Sequence, residues 1–108
     1  MTQILLVCSQ DGAFKRVTAS GHAGFAKKGK DIVCAAETSL LRTAMQVLEQ
    51  TEGVLVKSDA SERGFLSFSA EASGSRERLV CVADFIRTGI KSISCEFPEL
   101  VKLEELTE

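Results

Sequence analysis

Two side chains in this sequence could do covalent chemistry together. His22 is the one histidine of the chain, and Cys34 is one of four cysteines. Eleven residues lie between them. An imidazole can take the proton of a thiol, and the thiolate is the nucleophilic form of cysteine. Asp31 is a good helix N-cap, with Ile32 and Val33 opening the helix, so Cys34 reads as its third residue. A helix start presents backbone N–H groups and positive dipole charge, worth about 0.3–1 kcal/mol. One pKa unit is about 1.4 kcal/mol, so the helix alone leaves a thiol of pKa near 8.5 mostly protonated. A protonated imidazole beside the sulfur would supply the rest, then protonate a leaving amine. The same N–H groups could hold the oxyanion of a tetrahedral intermediate. Each residue also has an ordinary reading. A cysteine at a helix start is often structural, and a histidine at a strand end is often a surface or capping group. Spacing alone leaves both readings open.

Composition narrows the class. With 108 residues, 44% hydrophobic and 26% charged, the chain is expected to form one globular domain over residues 1–108. A net charge of −2 argues against a dedicated nucleic-acid binder. No apolar run approaches the roughly 20 residues of a membrane span, and Met1-Thr2-Gln3 leads straight into a strand-like run instead of a signal peptide. A cytoplasmic protein is expected. Cysteines at 8, 34, 81 and 95 form no Cys-x-x-Cys pair, so neither a structural metal site nor a cofactor is expected. Cys8, Cys81 and Cys95 lie in apolar segments and read as small buried hydrophobes.

The elements that must position His22 and Cys34 follow from periodicity. Ile4 to Cys8 is apolar at both alternating sets, as in a strand covered on both faces. Asp11-Gly12 is a favoured type I′ hairpin pair. Phe14 to Ala19 reads as the returning strand, which delivers Gly21 and His22. Ala23 to Lys30 has no period. It reads either as a solvated lysine loop or as a lid with glycine hinges. The helix from Ile32 to about Gln50 places Val33, Ala36, Leu40, Ala44, Val47 and Leu48 inward. Val54 to Val56 and Phe65 to Ser69 read as strands. Ser75 is expected to cap a second helix over about Arg76 to Ser94, with Leu79, Val82, Ala83, Ile86, Ile90 and Ile93 inward. Val80, Cys81 and Phe85 widen its apolar surface, either because the helix is deep or because it pairs subunits. Leu100 to Leu103 is the expected last strand, and Glu104 to Glu108 the expected frayed tail. The resulting order ββαββαβ implies a two-layer α+β domain, with two helices on a mixed sheet of about five strands.

Ser20-Gly21-His22-Ala23 and Asp31-Ile32-Val33-Cys34-Ala35-Ala36 resemble the two signature segments of the ribosomal-processing cysteine protease family, Prp. The resemblance extends over the opening hairpin, both helices and the Phe97-Pro98-Glu99 turn. It implies a cysteine endopeptidase that removes the N-terminal extension of the precursor of large-subunit ribosomal protein twenty-seven. It also implies Cys34 as nucleophile, His22 as base, a homodimer, and apolar or aromatic substrate residues just before the cut. Asp31 matches the family motif and could orient His22 as well as cap the helix. Gly21 belongs to the same signature. Phe25 is the large apolar residue of the loop and could cover those substrate residues. After Ala36 the family usually carries a small apolar residue and then serine. Here Glu37 and Thr38 stand in those places; Thr38 keeps the hydroxyl, and Glu37 adds a charge near the site.

Two other classes fit the residues less well. A thiol redox protein using Cys34 would need a resolving cysteine, and none is nearby in sequence. A non-catalytic ribosome-associated binding module would need neither residue.

Overall fold

In the computed structural model, residues 1–21, 32–62 and 64–108 are described. The elements are β1 (Thr2–Cys8), β2 (Phe14–Ser20), α1 (Ile32–Glu49), β3 (Val54–Asp59), β4 (Phe65–Ala72), α2 (Arg76–Glu96) and β5 (Val101–Thr107). The fold is α+β, in the order the periodicity predicts. The five strands form a single mixed sheet in the order β3-β4-β2-β1-β5. β1 pairs antiparallel with β2 and parallel with β5; β4 pairs antiparallel with both β2 and β3.

One face of the sheet carries the core. Ile4, Leu6 and Cys8 of β1 share it with Val17 and Ala19 of β2 and with Leu66 and Phe68 of β4. Against this face lie Val33, Leu41, Ala44 and Leu48 of α1 and Leu79, Val82, Ala83, Ile86 and Ile90 of α2. Phe14 and Phe68 stack with ring centroids 5.4 Å apart, a contact worth about 0.5–1.5 kcal/mol beyond the area buried. Neither described helix lies over the other face. There Val7 is fully buried but Leu5 only partly, so β1 is covered on one face by helices and incompletely on the other. No described helix is long and apolar enough to cross a membrane.

Several local expectations are corrected. The β1–β2 turn is not type I′, because only Gly12, at φ 89°, has a positive φ. Gly12 N–H donates to the Ser9 carbonyl, and Asp11 instead accepts from the Ser9 hydroxyl and the Ala13 N–H. The core stripe of α1 is turned by about one residue. Glu37 and Leu41 lie on it, Leu40 and Val47 lie at its margin, and Ala36 is exposed. Ser75 does not cap α2. Its φ of 56° and ψ of 29° are left-handed, and its hydroxyl donates to the Glu52 carbonyl at 3.2 Å. A capping residue needs extended backbone to aim its side chain at the helix N–H groups. Cys8 is buried, but Cys81 and Cys95 are exposed, since both fall on the solvent side of α2.

The largest correction concerns the chain end. Residues 104–107 are not frayed but belong to β5, which pairs with β1 as far as Cys8↔Thr107. Glu108 N–H still donates to the Cys8 carbonyl at 2.9 Å. Each acid there meets a cation that is distant in sequence or two residues away on β5. Glu105 pairs with Arg87 and Lys91, Glu108 with Arg16 and Lys15, and Glu104 with Lys102. Hydrogen bonding to the Arg87 guanidinium holds the Glu105 carboxyl below its usual range, and Arg16 does the same for Glu108. The Ser9 hydroxyl, then Arg76, lowers Asp11 to about 2.

These shifts fix a sign for acid stability. A carboxylate whose folded pKa is depressed contributes stability above the unfolded value and loses it as pH falls through the folded one. The melting temperature should therefore hold steady from neutrality to about pH 5 and fall between there and about pH 2. Arg87→Met should lower the neutral plateau and shrink that fall, as followed by circular dichroism melts. An equal fall in the variant would remove Glu105 from this account.

Candidate active site

The pairing register gathers one end of the sheet. β2 finishes at Ser20 opposite Gln3, near the start of β1, and opposite Phe65, the first residue of β4. β5 starts beside Thr2, whose N–H donates to the Leu100 carbonyl at 2.7 Å. Helix α1 delivers the chain to Val54, which pairs with Ala72 at the opposite end of the sheet. With 18 residues, α1 is about 27 Å long and packs on β3, so its first turn returns to the end where β2 stops.

Cys34 is the third residue of α1, as the sequence predicts, and is partly exposed. The first turn of α1 carries no acidic residue to offset the positive end of its dipole. Cys34 thus lies at the positive end of the α1 dipole. At Cys8, burial pushes the thiol up, although Arg87 Nη2 lies 3.7 Å from the sulfur.

Gly21 is fixed with unusual tightness. Its φ is 94°, and a Cβ built on it would lie 2.5 Å from the Met1 carbonyl oxygen. Its N–H donates to the Gly64 carbonyl at 2.8 Å. Both the left-handed conformation and the approach of Met1 demand glycine. The residue that follows is His22. His22, Phe25 and Asp31, together with the lysine-bearing loop, lie outside the described residues, so the structure places Cys34, Gly21 and Thr38 of the predicted set.

Thr38 is exposed on the turn of α1 after Cys34. Glu37 differs from expectation. It is only 3% exposed and sits on the core stripe between Val33 and Leu41. It is thus an acid inside the fold one turn along α1 from Cys34, not a surface charge. Helical side chains lean toward the N-terminus, so Glu37 covers the turn that bears Cys34. Its i,i+4 spacing to Val33 and Leu41 was the available signal. Its charge hides that signal in any apolar count. Thr2 was not anticipated either. Its side chain is 3% exposed, and Oγ1 has no hydrogen-bond partner among the described residues.

Gly21→Ala should destabilise the protein more than Gly12→Ala. Both sites have positive φ, but a Cβ at Gly12 meets nothing within 4 Å. Conformational strain alone costs about 1–3 kcal/mol, and only Gly21 adds a clash with backbone. Urea titrations of the two variants check this; equal losses would mean that Met1 yields.

The chain is similar to known proteins over nearly its whole length. The family model described as cysteine protease Prp matches residues 1–102. The chain is 33% identical over 90 residues to ribosomal processing cysteine protease Prp of Mycoplasma pneumoniae, across 83% of this chain and 86% of that one. SMU.848 from Streptococcus mutans superposes with a TM-score of 0.78 at 25% identity, covering 100% of this chain and 96% of that one. An essential ribosomal processing protease Prp from S. aureus, in complex with a covalently linked product peptide, superposes at 0.86 with 18% identity. That match covers 97% of this chain and 99% of the other.

Proposed function

The chain belongs to the cysteine protease Prp family, and from that premise we propose that Cys34 is its nucleophile and His22 its general base. The observation that carries the reading is the position of Cys34 at the start of α1, at the end of the sheet where Gly21 fixes the backbone leading to His22. The substrate in this reading is the precursor of large-subunit ribosomal protein twenty-seven, cut after its N-terminal extension in the cytoplasm before ribosome assembly. The S. aureus protein bound to a substrate peptide supports a peptide substrate for this fold.

The chemistry follows from the residues. His22 takes the thiol proton, and Cys34 Sγ attacks the scissile carbonyl carbon. The tetrahedral oxyanion forms facing the N–H groups of the first turn of α1. The C–N bond breaks as His22 gives its proton to the leaving amine, and a thioester remains. A water, deprotonated by His22, then attacks the thioester. Release of the carboxylate product returns the thiol. Asp31 caps α1 and orients His22; Phe25 covers the apolar substrate residues before the cut; Thr38 faces the substrate from the next turn. The enzyme works as a homodimer, paired through the α2 surface where Phe85 is 46% exposed beside Cys81. Binding of the extended substrate completes the site, as induced fit requires.

The test is incubation with the unprocessed ribosomal protein, read by mass spectrometry. Wild type should release the extension at one position. Cys34→Ala should release none while keeping the wild-type circular dichroism spectrum. Cleavage by Cys34→Ala at the wild-type rate would remove the nucleophile assignment.

His22→Ala should lower the rate by about 10²-fold or more, the span of positioned acid–base catalysis. It should also raise the pH at which Cys34 is alkylated, because the helix start alone stabilises the thiolate too little. A wild-type cleavage rate in this variant would remove His22 as base.

A further inference from the structure

The backbone leading to His22 is held from two sides, and one of them is a loop with no assigned role. Gly21 N–H donates to the Gly64 carbonyl at 2.8 Å. Met1 closes the other side, with its carbonyl oxygen 2.5 Å from where a Gly21 Cβ would be. Gly64 ends the connection from β3 to β4 and has a φ of 76°. That connection is itself braced. The Asp59 carboxylate accepts the Ser61 N–H at 3.0 Å and its hydroxyl at 2.7 Å. Phe65 N–H donates to the Glu62 carbonyl at 3.3 Å. Immediately beyond, Ser20 pairs with Phe65, so the β2–β4 ladder runs up to the Gly21–Gly64 bond.

The geometry points to the β3–β4 connection as a positioning element of the protease, with Gly64 as a positioning residue that aims the end of β2 toward His22. Gly64 acts through the Gly21 amide and touches neither substrate nor reacting atoms. The hydrogen bond to its carbonyl fixes the peptide plane between Ser20 and Gly21. The position of that carbonyl depends on a left-handed torsion at Gly64. Asparagine tolerates such a torsion, whereas a β-branched residue does not. A displacement of about 1 Å in a catalytic group can cost on the order of 10²-fold in rate, so a small turn at Gly64 is enough to matter. The inference rests on the reading of His22 as base.

Gly74 supplies the control. It lies just past the other end of β4, has a φ of 97°, and a Cβ there meets nothing within 4 Å. Gly64→Val, Gly64→Asn and Gly74→Val are compared for kcat and KM on precursor peptide, per folded molecule by circular dichroism. The pH profile of Cys34 alkylation is recorded alongside. Gly64→Val should lose about 10-fold or more in kcat with KM nearly unchanged, and should shift the alkylation midpoint upward, as a displaced base would. Gly64→Asn should recover most of that loss, and Gly74→Val should keep the wild-type kcat. If Gly64→Val does not fold, Gly64→Ala against Gly74→Ala carries the same comparison. Equal kcat in the Gly64 and Gly74 variants overturns the inference. Two results separate it from the reading beneath it. Full activity in His22→Ala refutes the base itself. Loss in His22→Ala with full activity in Gly64→Val refutes only the positioning role of Gly64.

Discussion

The backbone at Gly21 is the constraint on which the arrangement of the site depends. A carbonyl from the first residue of the chain occupies the space a side chain would need, and a carbonyl from Gly64 takes its N–H. The ends of three strands therefore meet within one hydrogen bond's reach of Gly21, the residue before His22. The sheet supplies this fixity. β2 is a central strand, paired with β1 on one side and β4 on the other, so its end cannot drift without breaking two ladders. Helix α1 brings Cys34 to the same end because its core stripe, from Val33 to Leu48, packs on the sheet face shared by Ile4, Leu6 and Phe68.

The two chemical groups are thus carried by different kinds of support. Cys34 rides on a helix whose depth in the fold is set by buried Val33, Leu41 and Leu48. Such packing resists displacement because interiors are close-packed. Gly21 is held by backbone hydrogen bonding and by steric exclusion. Buried Glu37 lies between the two regimes, on the core stripe yet over the turn that bears Cys34. An acid in that position makes the helix start a polar part of the interior. This distinguishes the chain from one with an apolar residue there.

The order of elements and the place of Cys34 were legible because they rest on local patterns. Apolar alternation marked β1 and β2, and the 3.6-residue period marked both helices. What was not legible depends on partners far along the chain. Nothing near Glu105 or Glu108 announces Arg87 or Arg16, yet those ion pairs accompany the strand that replaces the expected frayed tail. Ser75 looks like a cap by type, but its backbone is left-handed and its hydroxyl reaches Glu52. Cys81 and Cys95 sit in apolar stretches, and only the rotation of α2 shows them facing outward. Gly21 was legible as part of a signature. Its reason, the Met1 carbonyl, is a contact across the sheet.

The central claim is that the thiol of Cys34 becomes acylated by the peptide being cut. Acid quenching of the enzyme during turnover of precursor peptide, followed by digestion and mass mapping, tests it most directly. The account predicts a thioester adduct on the peptide containing Cys34, with the mass of the acyl fragment, that disappears when turnover is complete. Adducts on Cys81 or Cys95, or steady cleavage with Cys34 unmodified throughout, would contradict it.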